Sequence, residues 1–226
     1  MATLAIDELN TPKEYTVRSI PYEKYFGEME LSDKQIKQRI EFAKKFEDGL
    51  LAFLTLFTLA SAYGQDNGFL RIQLQQMYFE ITTQFLETDK YISNHAEEFA
   101  DNFIESTNKH IDDPWYTSED RAKFNAENEA NDILNYSDFQ DAIADGKNVK
   151  EWRTLLDNRV RPTHKEVHGK TIPIDDTFEV GGTLLRFPGD SEFDTSNGEE
   201  TCGCRCSLKY SYNPRYPKYT VNEEPE

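Results

Sequence analysis

The chain has 226 residues, enough for one large domain or two small ones. Its 42 acidic side chains outnumber 25 Lys and Arg, and the net charge of −17 excludes a basic groove for duplex nucleic acid, which needs cations that displace condensed counterions. Aromatics at 13% exclude a disordered acidic chain, so a folded protein is expected although hydrophobic residues reach only 37%.

Residues 1–30 hold Pro12, Pro21 and Gly27 among Tyr15, Tyr22, Tyr25 and Phe26 without a sustained period, which predicts an extended arm. Its aromatics either mark a protein contact or fold back on the helices. A helical region spans 31–117. Ser32-Asp33-Lys34-Gln35 reads as a capping box, and Ile36, Ile40, Ala43, Leu50, Leu51 and Leu54 continue a stripe, with Gly49 where the helix would bend. The apolar run Leu50 to Tyr63 is too short to cross about 30 Å of hydrocarbon at about 1.5 Å per residue, so a buried helix is expected and no membrane span. After the Gly64 to Gly68 break, Phe69, Ile72, Met77, Ile81, Phe85, Ile92, Phe99 and Phe103 keep helical spacing, as one long helix or two in series. A helical hairpin or bundle follows.

The third segment, 118–210, opens with a helix from Ser118 to about Asn135, carrying Ala122, Phe124, Ala126, Ala130, Ile133 and Leu134. From Gly146 on, short strands are predicted at Thr171 to Ile174, Phe178 to Val180 and Thr183 to Phe187, with turns at Gly181-Gly182 and Pro188-Gly189-Asp190. An extended tail, 211–226, carries Tyr212, Tyr216 and Tyr219. The fold class is α+β, a mainly helical amino-terminal half followed by a small α+β module with short antiparallel strands. The amino-terminal stretch MATLAIDELNTPKEY lacks a basic start and a continuous apolar core, so residence in the cytoplasm of the cell that makes the protein is expected.

The chemistry-bearing residues sit in the last module. Cys202, Cys204 and Cys206 alternate, so on a strand all three would face one way, and with His164 they would make a four-ligand thiolate–imidazole zinc site. Burial as small hydrophobic side chains is the other reading, and no Cys-x-x-Cys spacing decides between them. Asp157, Arg159, Arg161 and His164 make either an acid–base constellation or a buried polar network. Without a partnered nucleophile or a Gly-rich phosphate cradle, the network is the expectation, with Trp152 as a core anchor.

In order along the chain come Trp152-Arg153-Thr154, Asp157, Arg159-Val160-Arg161, His164, His168-Gly169, Phe178-x-x-Gly181, Pro188-Gly189-Asp190 and Cys204-Arg205-Cys206. This order resembles the carboxy-terminal module of phage minor head proteins, the Mu F-like head morphogenesis family, over about Ala122 to Tyr210. Glu129 looks like the acidic position on the helix preceding that module. The chain departs from the family pattern at Gly203, where Asn is usual, at the additional Cys202, and at His168, where the family is often acidic.

The resemblance implies a structural protein of the virion head near the portal, acting in assembly, genome packaging or delivery and carrying no enzymatic activity. Its implied partners are the portal protein and the major capsid or scaffolding proteins, with self-association as a further contact. No cofactor is implied, and zinc rests on the cysteine spacing alone. Tight nucleic-acid binding is not expected at this charge. Two other classes compete: a small metal-dependent hydrolase using Asp157, His164 and the cysteine cluster, and an acidic DNA mimic, which would need its carboxylates in a stripe where here they are scattered.

Overall fold

The computed structural model describes residues 20–64, 66–194 and 198–217. Residues 1–19 of the expected arm and 218–226 of the expected tail, with Tyr15 and Tyr219, lie outside the described residues.

Helix α1 (Tyr22–Gly27) occupies the end of the segment expected to be extended. Tyr22, Tyr25 and Phe26 fall on one side of its turns and are buried, and Tyr22 Oη donates to Glu47 Oε2 at 2.6 Å. These aromatics therefore fold back on the helices.

Helix α2 (Asp33–Ala62) starts at the expected capping box, in which Gln35 N donates to Ser32 Oγ while Gln35 Oε1 accepts from Ser32 N. It runs without a break through Gly49. A Cβ there would stand 2.6 Å from the Met77 sulfur, so the glycine admits the neighbouring helix rather than bending its own. Helices α3 (Asn67–Thr82) and α4 (Lys90–Lys109) are the two-in-series alternative. Each begins at an aspartate cap: Asp66 Oδ1 accepts from Phe69 N and Asp89 Oδ1 from Ile92 N, both at 3.0 Å. Rings fill the space between α2, α3 and α4. Phe46 meets Tyr78 at 5.3 Å and Phe99 at 5.4 Å, and Phe53 meets Phe103 at 6.0 Å.

After a 3₁₀ turn at Pro114–Thr117, helix α5 (Glu119–Ala144) runs well past Asn135. From Arg121 to Tyr136 it is buried on nearly every side, polar positions included, and its last two turns reach the surface at Gln140, Asp141 and Ala144. Strand β1 (Val149–Arg153) pairs antiparallel with β2 (Thr171–Pro173) on one edge and β5 (Ser207–Ser211) on the other, with Glu151 opposite Thr171 and Trp152 opposite Leu208. Between β1 and β2 lies the short helix α6 (Pro162–Val167), and β3 (Phe178–Val180) with β4 (Thr183–Leu185) forms a separate hairpin. β2, β3 and β4 fall where strands are predicted, whereas β1 and β5 were not anticipated. Trp152, Phe178, Leu185, Phe187 and Leu208 join the same buried cluster as the helical rings, so one core serves both halves. Among the described residues, no helix is long and apolar enough to cross a membrane.

Candidate functional site

Pro162 opens α6 with a fixed φ, and the helix turns His164 and Val167 inward together. His164 is 1% exposed. Its Nδ1 lies 3.2 Å from Cys206 Sγ and 3.5 Å from Cys204 Sγ, and its Nε2 lies 2.9 Å from Glu200 Oε2. Trp152 of β1 stands edge-on to the imidazole at 5.8 Å and to Phe178 at 5.1 Å. Cys202, expected beside the other two thiols, is elsewhere, its sulfur 3.8 Å from Asn128 Nδ2. The cysteines precede β5 rather than lying on it, and Gly203 with φ +65° turns the chain between Cys202 and Cys204, which destroys the alternation. Three of the four expected ligands therefore meet.

Glu200 escaped sequence reasoning because it closes a single 3₁₀ turn, Gly198–Glu200, with no period or motif to single it out. Thr163 Oγ1 donates to its Oε2 at 2.9 Å. Gly181, with φ +58°, makes room for it, since a Cβ there would stand 2.1 Å from Glu200 Oε1. Burial favours a neutral His164, but Cys204, helped by Glu200, outweighs it and raises the imidazole pKa. A hydrogen bond given to Cys206, together with burial, pushes the Cys204 thiol well up. Burial would raise Cys206 too, yet the donors Cys204, Thr154 and Trp152 bring it below its ordinary value. The Trp152 Nε1 and Thr154 Oγ1 atoms are buried and have no acceptor other than the Cys206 sulfur among the described residues.

Three asparagines of α5, spaced as successive turns of one face, hold the cysteine segment. Asn128 Oδ1 accepts from Gly203 N at 3.1 Å, and Asn131 Nδ2 donates to Cys204 O at 2.8 Å and Cys206 O at 3.2 Å. Asn135 Nδ2 donates to Cys206 O at 3.1 Å and Pro188 O at 3.0 Å. Arg39 of α2 completes the clamp from behind, donating to Asn131 Oδ1 at 3.3 Å and to Asn135 Oδ1 and Asp138 Oδ2 at 2.9 Å. A signal for the clamp was present in the sequence. Asn is a poor residue for a helix interior, and three on one face invite the question of what they bond.

The remaining predicted residues are dispersed around this centre. Asp157 accepts from Arg205 Nη2 at 2.7 Å and from Arg159 N at 2.9 Å, and these partners hold its pKa low against burial. Arg159 also reaches Glu28 at 2.9 Å, and Arg161 Nη2 donates to Cys202 O. The carboxylate beside His164 is Glu200 and not Asp157, so the acid–base constellation imagined for the hydrolase is not assembled. Glu129 belongs to a second network, where its Oε2 accepts from Tyr78 Oη at 2.7 Å and meets His95 Nε2 at 3.0 Å. Burial opposes charge on His95, but Glu129 outweighs it, with Asp132 and Glu192 adding, and the pKa rises to about 9.

A thiol, an imidazole and a carboxylate in line form the order of a nucleophile, base and orienting group. Here Cys204 and Cys206 are 3% and 1% exposed, so the sulfurs face the protein's own interior. The alternative chemistry for such a set is to hold a soft metal ion.

Residues 92–209 match the family described as Phage Mu protein F like protein. The chain belongs to this family. The match extends the resemblance upstream to Ile92 in α4, and every candidate residue lies inside it. The chain is also similar to the minor head protein GP7 of Bacillus phage SPP1, 32% identical over 69 residues, which cover 30% of this chain and 21% of that relative. The similarity thus spans about a fifth of the relative's length. No solved structure matches.

Proposed function

We propose that this Mu F-like chain is a minor head protein that acts structurally in head morphogenesis, through contacts with the portal and with capsid or scaffolding proteins. The observation that carries this reading is the inward direction of the family segment: its histidine, thiols and asparagines bond one another and the backbone of one loop. Groups so committed stabilise a shape for other proteins to recognise and do not meet a substrate. The name of the relative from phage SPP1 supports the same role. The net charge of −17 favours protein partners over packaged DNA. Assembly would then begin in the host cytoplasm and end with the protein in the virion head near the portal.

Co-expression with the portal and capsid proteins of the same phage, followed by particle isolation and mass spectrometry, tests the proposal. Incorporation at a low, fixed ratio to the portal is expected. Absence from particles that otherwise assemble overturns it.

A further inference from the structure

The ligand atoms of His164, Cys204 and Cys206 all lie within 4.8 Å of one another. In tetrahedral zinc coordination, with Zn–S about 2.3 Å and Zn–N about 2.0 Å, nitrogen and sulfur stand about 3.6 Å apart. The two Nδ1 to sulfur distances, 3.2 and 3.5 Å, lie close to that spacing. Glu200 supplies what a metal-bound histidine needs on its far side: a carboxylate that accepts the Nε2 proton and leaves the Nδ1 lone pair directed at the sulfurs.

A second observation is independent of the ligand set. Trp152 Nε1 and Thr154 Oγ1, on residues 0% and 4% exposed, face Cys206 and have no acceptor other than its sulfur among the described residues. A neutral thiol is a weak acceptor and leaves such donors poorly satisfied, whereas a metal-held thiolate accepts them well.

From this geometry we infer that His164 Nδ1, Cys204 Sγ and Cys206 Sγ form a zinc centre that fastens α6 to the segment leading into β5. Two thiolates and an imidazole select zinc over magnesium or calcium, whose ligands are oxygens. Cys202 takes no part. Both thiols release their protons to solvent when the ion binds.

The test uses the full chain without a polyhistidine tag, purified from zinc-supplemented cells, with metal content read by mass spectrometry. One zinc per chain is expected, retained in Cys202→Ser and lost in Cys204→Ser and Cys206→Ser. A wild-type chain free of zinc, or equal zinc in the Cys204→Ser/Cys206→Ser double variant, overturns the inference. Because the serine variants stand in a buried site and their failure to fold would also release metal, the wild-type chain is produced in cobalt-supplemented minimal medium as well. Tetrahedral d–d bands with thiolate-to-cobalt charge transfer are expected. Their absence, or a disulfide joining Cys204 to Cys206 in the fresh protein, overturns it.

Discussion

Helices α2, α3 and α4 meet through rings, whereas the segment from 146 to 211 adds amides and charges to its ring contacts with α5, where Phe187 meets Tyr136 at 5.7 Å and Phe139 at 5.5 Å. In the first region Phe46 meets Phe99 edge-on and Phe99 stacks on Phe103, contacts that need only shape and apolar area. In the second, short strands bury little by themselves, and Asn128, Asn131 and Asn135 fix the loop between them by named hydrogen bonds. Apolar packing tolerates a change of side chain when volume is roughly kept. A buried hydrogen-bond network does not, because each removed partner strands another group away from water.

The largest expected effect is therefore in the clamp. Arg39→Leu leaves two amide oxygens and the Asp138 carboxylate without their cation, and a loss of about 3–5 kcal/mol is expected, seen as a lower urea midpoint at unchanged slope. Next comes the His95–Glu129 pair. A histidine whose folded pKa is about 9, above the unfolded 6.5, holds its proton more tightly in the fold, so its contribution is full below about pH 6.5 and fades as pH rises through 9. His95→Gln should cost roughly 3 kcal/mol more at pH 6 than at pH 10, measured as the difference in denaturation free energy from wild type at each pH. A penalty that grows with pH would contradict the assignment of charge to this buried imidazole. The smallest effect belongs to the ring region. Phe46→Leu keeps an apolar side chain in place and should cost about 1–2 kcal/mol, and a cost equal to that of Arg39→Leu would erase the distinction between the two regions.

The same distinction explains what could be read in advance. Apolar periodicity and caps are local, so α2 from its Ser32 box, the start of α5 at Ser118 and the β3–β4 pair around Gly181-Gly182 were predictable from neighbouring residues. The meeting of His164 with Cys204 and Cys206 was legible as chemistry, since few residue types serve as thiolate and imidazole ligands. What was not legible was non-local. β1 and β5 carry polar residues such as Lys150 and Lys209, and their pairing joins segments more than fifty residues apart in the chain. Lys150 is buried outright, its ammonium donating to Arg186 O at 2.8 Å and lying over the Phe139 ring at 5.0 Å. Glu200 reaches His164 from a single 3₁₀ turn without a sequence pattern, and the exclusion of Cys202 depends on the backbone turn at Gly203.

Arg39 has one more consequence, for how such a gene is exchanged. It lies well upstream of Ile92, where the family match begins, yet its guanidinium polarises the amides that grip the cysteine loop. A recombination event that transplanted only residues 92–209 into another chain would deliver the asparagines without the cation behind them and bare the face of α5 that α2 covers. In this chain the hold on the cysteine loop is thus shared with a helix outside the family segment's own boundaries.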